Sequence, residues 1–156
     1  MRIAVYADTH RNARAIKRAV EIAGEVDLNI HLGDNISDAA QIEKLSHKTC
    51  LKVRGNCDVP GSGVIEIVTD IAGKRFFITH GHVYRVKRGL NILLNRAREL
   101  EADIALYGHT HSAGIDEGVP MLLNPGSLYA PFLGRMSFAI VEVGEEISAR
   151  IITLPD

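Results

Sequence analysis

The 156-residue sequence has no tryptophan, only two cysteines, and near-balanced charge. Each shortage closes off a class of function. Cys50 and Cys57 are no disulfide framework: one falls in an expected buried strand and the other in the loop after it, which fits a reducing, cytoplasmic setting. The apolar run at residues 1–7 stops at Asp8, too early for a secretory segment and far too short for a membrane span. Eighteen basic against nineteen acidic residues leave a formal charge of -1, so neither a nucleic-acid duplex nor a membrane is expected as partner. No Gly-x-x-x-x-Gly-Lys-Ser/Thr loop occurs, and Gly61-Ser62-Gly63 precedes a strand instead of opening a helix, which removes nucleoside-triphosphate and dinucleotide readings. A cysteine-dependent phosphatase needs an arginine at fixed spacing beyond its nucleophile, where this chain has Asn56 and Gly63.

What is present is ordinary globular material, 46% hydrophobic, enough for one core in a single domain over residues 1–156. Apolar runs at 3–7, 28–32 and 49–53 read as buried strands. Between them, Asn12 can cap a helix carrying Ile16, Ala19, Val20 and Ala23, which Gly24 can stop, and Ser37 can cap a second with Ala39, Ile42 and Leu45. Strand, helix, strand, helix, strand implies parallel strands with right-handed crossovers, and such sheets bind ligands beyond the carboxyl ends of their strands. Residues 64–71 and 75–79 follow as a hairpin, 88–100 as a helix, and 104–107, 121–123, 137–143 and 147–154 as further strands.

Five segments put oxygen and nitrogen donors just after apolar runs: Asp8-Thr9-His10, Gly33-Asp34-Asn35, Gly55-Asn56, His80-Gly81-His82 and Gly108-His109-Thr110-His111. Singly, each has a commonplace reading as a turn, a cap or a packed histidine. Gathered at one sheet edge, a set without thiolates suits Mn, Fe, Co, Zn or Ni better than a structural cysteine-type zinc site.

In this order the segments resemble the calcineurin-like metallophosphoesterases. Gly55-Asn56-Cys57-Asp58, Thr79-His80-Gly81-His82 and Asn124-Pro125-Gly126-Ser127 are similar to their small phosphodiesterase branch of the YfcE type. The resemblance implies a four-layer αββα sandwich and two divalent ions, Mn²⁺ foremost. Asp8, His10 and His111 would hold one ion, Asn56, His80 and His109 the other, and Asp34 would bridge them. Two ions about 3.5–4 Å apart can generate a hydroxide nucleophile and clamp the attacking and leaving oxygens of a small phosphodiester. Asp34, Asn56, Cys57 and Asp58 are the expected catalytic set. Cys57 stands where the wider family commonly has a histidine that protonates the leaving group, and a thiol is a poor substitute. Diesters, with weak help from Asp58 or a second water, are therefore favoured over difficult monoesters.

Asp38 and His82 are expected to orient ligands or substrate, with a solvated loop position the equal alternative for His82; Arg85, Lys87 and Arg88 could meet an anion if they face the cleft, but a charge cluster opening a helix is more often a solvated face. His31 reads as a packed histidine, and Asn124 to Ser127 as a structural lock beside the cleft. The alternatives are a phosphomonoesterase on the same site or a non-catalytic scaffold like the retromer subunit; self-association is compatible with either.

Overall fold

The computed structural model describes residues 1–132 and 134–155. Its order is β1 (Arg2–Tyr6), α1 (Ala13–Ala23), β2 (Leu28–His31), α2 (Ala39–Ser46), β3 (Cys50–Lys52), β4 (Glu66–Ile71), β5 (Lys74–Thr79), α3 (Asn91–Glu99), β6 (Ile104–Leu106), β7 (Gly114–Asp116), β8 (Met121–Asn124), β9 (Ser137–Val143) and β10 (Ile147–Thr153).

Two five-stranded mixed sheets form. The first runs β10-β9-β1-β2-β3, with β1, β2 and β3 parallel; the second runs β4-β5-β6-β8-β7, with β5, β6 and β8 parallel. Alternation along each strand explains the layering. Ile3, Val5 and Ala7 point between the sheets and meet Phe76, Ile78, Ile104 and Leu106. Ala4 and Tyr6 point the other way, onto Ile16, Ala19 and Ile42 of the first two helices. Phe77, Ala105 and Leu122 of the second sheet are covered by Leu93 and Ala97 of α3. The result is the expected αββα sandwich, whose central strands are apolar on both faces because both faces are covered.

The helix starts divide in an instructive way. Asn12 caps α1 as expected, accepting from the Ala15 amide at 3.2 Å, and Gly24 ends it at φ 65°. Ser37 does not cap α2. A 3₁₀ turn over Ile36–Asp38 puts Asp38 at the cap position with no capping bond, because its carboxylate is used elsewhere. The expected helix over 88–100 starts only at Asn91, after two 3₁₀ turns. The short edge strand β7 was not expected. Among the described residues no helix is long and apolar enough to cross a membrane.

Candidate metal centre

The parallel strands of both sheets end at one edge, and the chain turns sharply there. Asp8, His10, Asp34, His109 and His111 all have φ between 42° and 68°, a region that side-chain-bearing residues rarely adopt. Each such residue carries strain of roughly 1–3 kcal/mol, tolerated only where neighbours over-determine it. Here the neighbours are hydrogen bonds. The Asp8 amide donates to Gly33 O at 3.1 Å, the Ser127 hydroxyl donates to Asp8 O at 2.9 Å, and the Gly108 amide donates to His80 O at 3.0 Å. Gly55 is needed for close approach: a Cβ there would lie 2.1 Å from Asp34 Oδ1.

Two groups of donor atoms converge, Asp8, His10, Asp34 and His111 in one and Asp34, His80 and His109 in the other, each within 4.8 Å. Asp34 belongs to both. Its Oδ2 is 3.7 Å from His10 Nε2 and its Oδ1 3.5 Å from His80 Nε2, while Asp8 Oδ1 is 3.2 Å from His111 Nε2. Asn56 joins the second group, with Oδ1 3.1 Å from His80 Nε2.

The tautomers test whether a cation fits. His80 Nδ1 lies 2.8 Å from Leu32 O and His111 Nδ1 2.6 Å from Ala130 O, so both rings donate from Nδ1 to a carbonyl. Each Nε2 then turns a lone pair toward carboxylate oxygens, as a metal-binding imidazole does. Asp8 Oδ1 is buried without a hydrogen-bond partner. Lone pairs facing lone pairs are repulsive unless a positive charge sits among them, so the donor set fits divalent cations.

The same crowding shifts the titrating groups. Burial opposes ionisation of Asp34, but the His80 ring, the amide and thiol of Cys57, and His10 outweigh it and hold the carboxyl below its usual range. Burial, with the neighbouring His80 and the Lys87 ammonium, pushes His109 down to about 4. His111 moves up, chiefly because protonation would turn its Nε2 into a donor to Asp8 Oδ1, 3.2 Å away.

The loops are braced from below. Asp58 accepts from four backbone amides: Asp34 at 3.0 Å, Asn35 at 2.9 Å, Ile36 at 2.9 Å and Gly55 at 2.7 Å. Both its oxygens are thus committed, and the expected help to a leaving group is replaced by an anchoring role that ties the loop after β2 to the loop after β3. Asp38 accepts from the Thr9 hydroxyl at 2.6 Å and the Arg11 amide at 2.9 Å, fixing the turn that carries Asp8 and His10. Thr9 Oγ1 also lies 2.9 Å from Nε2 of the buried His31, whose Nδ1 accepts from the Gly33 amide at 3.2 Å. This chain through Thr9 and His31 was not foreseen. Asn124 Nδ2 donates to Gly108 O at 3.1 Å, which with the Ser127 bond makes the expected lock.

His82 sits with its ring centroid 5.3 Å from His80 and 6.2 Å from His109, and its buried Nδ1 lacks a partner. Cys57 is exposed and unpaired; local desolvation and the adjacent Asp34 push its thiol up to about 11. Tyr129, not singled out from sequence, holds its ring 5.2 Å from His10. Beside the centre opens a cavity of about 580 Å³, whose walls include Lys87, His109, His111 and Phe132.

A two-sheet αββα fold that gathers Asp, Asn and His at its strand ends defines the metallophosphoesterase class. The chain belongs to the calcineurin-like phosphoesterase superfamily, whose domain model matches residues 1–146, and is a metal-dependent hydrolase of that family. It is 37% identical over 166 residues to a probable metallophosphoesterase of Methanothermobacter thermautotrophicus, covering 97% of this chain and 92% of the relative. A solved archaeal phosphodiesterase superposes with a TM-score of 0.80 at 25% identity, covering 99% of this chain and 100% of that one. Vacuolar protein sorting-associated protein 29 of Schizosaccharomyces pombe is 30% identical over 155 residues, covering 94% of this chain and 80% of its own.

Proposed function

We propose that the protein is a phosphodiesterase with a dinuclear centre. The observation that carries this reading is Asp34, one carboxylate common to two converging donor groups. Asp8, His10, Asp34 and His111 would hold one ion, and Asp34, Asn56, His80 and His109 the other. Mn²⁺ is the first choice, with Fe, Zn, Ni and Co also suited to oxygen and imidazole donors. When bound, such ions acidify a water into a hydroxide nucleophile and neutralise phosphoryl charge.

The residues of the chain do the positioning. Nδ1–H donation by His80 and His111 aims their Nε2 lone pairs inward. Cys57 offers a thiol where an imidazole acid could stand, and a thiol is a poor general acid at neutral pH. That favours esters whose leaving group departs with little help, and supports diester over monoester hydrolysis. The likeness to the archaeal phosphodiesterase supports the same choice.

The test is reconstitution. Protein stripped of metal and resupplied with Mn²⁺ is expected to hydrolyse bis(p-nitrophenyl) phosphate, and the activity is expected to vanish with chelator. No hydrolysis above the chelated control with any of the five metals would overturn the reading. A scaffold role is the second reading, favoured by the likeness to the sorting protein; it would survive Asp34→Asn with partner binding intact.

A further inference from the structure

The cavity of about 580 Å³ lies within the range of roughly 300–1,000 Å³ typical of small-molecule pockets. His109 and His111 both wall it, one from each donor group, so an occupant touches both halves of the centre. Lys87 is a further wall, the only one of Arg85, Lys87 and Arg88 to line this cavity. Phe132 completes the mouth. It is 71% exposed, an apolar plane that no core uses. Its backbone is held to the ligand loop: its amide donates to His111 O at 2.9 Å, and Ala130 O, two residues earlier, accepts from His111 Nδ1 at 2.6 Å.

An aromatic side chain left open to water, on a backbone tied to a ligand loop and sharing a cavity with a cation, matches a ligand that is flat at one end and anionic at the other. A purely aliphatic or sugar leaving group would leave Phe132 uncovered. We propose that this cavity is a nucleoside pocket, with the base stacked on Phe132 and the phosphate charge met by Lys87, so that the substrates are nucleotide phosphodiesters. This rests on the phosphodiesterase reading and adds the substrate class to it. Base stacking on one aromatic side chain is sequence-tolerant, so the pocket distinguishes nucleosides from other alcohols more than one base from another.

Binding tests the pocket without requiring turnover. In the Mn²⁺-loaded protein, adenosine 5′-monophosphate is expected to bind at least about tenfold tighter than ribose 5-phosphate, which carries the same phosphate and sugar but no base. Phe132→Ala should abolish that difference while leaving ribose 5-phosphate binding unchanged, and Lys87→Met should weaken both. Equal binding of the two probes by the wild type, or persistence of the difference in Phe132→Ala, would overturn the pocket. Ribose 5-phosphate binding is the internal control for folding. Hydrolysis of bis(p-nitrophenyl) phosphate separates the two readings. Turnover without a base-dependent difference sinks the pocket alone, and a base-dependent difference without turnover of any diester sinks the phosphodiesterase reading and leaves a nucleotide-binding site.

Discussion

The two halves of the centre differ in charge and in burial. The half around Asp8, His10 and His111 has two carboxylates and is partly open, with His10 and His111 side chains 22% and 23% exposed. The half around His80 and His109 has only the shared Asp34 carboxylate, with His80 fully buried. The first offers more negative charge to a cation, whereas the second relies on imidazole nitrogens and the Asn56 amide oxygen. The difference teaches that adjoining donor groups can suit a cation by different means: each holds one imidazole preset by an Nδ1–H bond, but the first adds a second carboxylate. The sheets divide the donors differently: loops of the first carry Asp8, His10, Asp34 and Asn56, and loops of the second carry His80, His109 and His111, so each half draws on both sheets.

The largest expected effect comes from erasing the comparison altogether. Asp34→Asn should deplete both ions and lower turnover by more than the roughly 10–100-fold typical of losing an outer-shell partner. Metal content by mass spectrometry, read with turnover, checks it; two retained ions with near-normal rates would remove Asp34 from the centre. Next come the halves separately. His80→Asn should empty mainly the buried half and His10→Asn mainly the open one, seen as loss of one of two binding steps in a metal titration. Identical losses in the two variants would show that the halves are not distinct.

A smaller effect lies beneath the centre. Burial pushes His31 down to about 4 from 6.5, despite the acids around it. The unfolded chain therefore takes up a proton below pH 6.5 that the fold refuses. The stabilisation is complete above 6.5 and is lost as pH falls toward 4, by about 3 kcal/mol at most. Denaturant midpoints at pH 7, 5 and 4, with chelator throughout, should fall in the wild type and fall less in His31→Gln. The smallest effect is a change of preference: Cys57→His should raise monoester turnover relative to diester turnover, and an equal shift in both would count against the thiol as the cause of selectivity.

Much of this was legible in the sequence because strand ends announce themselves. Asp8, Asp34, Asn56, His80 and His109 each follow an apolar run, and a sheet covered on both faces leaves its polar residues only at its edges. The supports were harder to read. Asp58 carries no local sign that three of its four partners are amides 22 to 24 residues away. Ser37 looks like a helix cap until Asp38 is drawn off by Thr9 and Arg11, which moves the helix start. Phe132 follows no periodic pattern, and its position depends on a backbone bond to His111. Contacts made across the fold, between residues that share no period, are what a linear reading misses.

The four-amide grip of Asp58 has a consequence for how the centre is filled. It joins the loops after β2 and β3 through groups that no cation touches, so the spacing of Asp34 and Asn56 is set before any ion arrives. Loading a cation would then find these two donors already in register, with no loop closure left to accomplish.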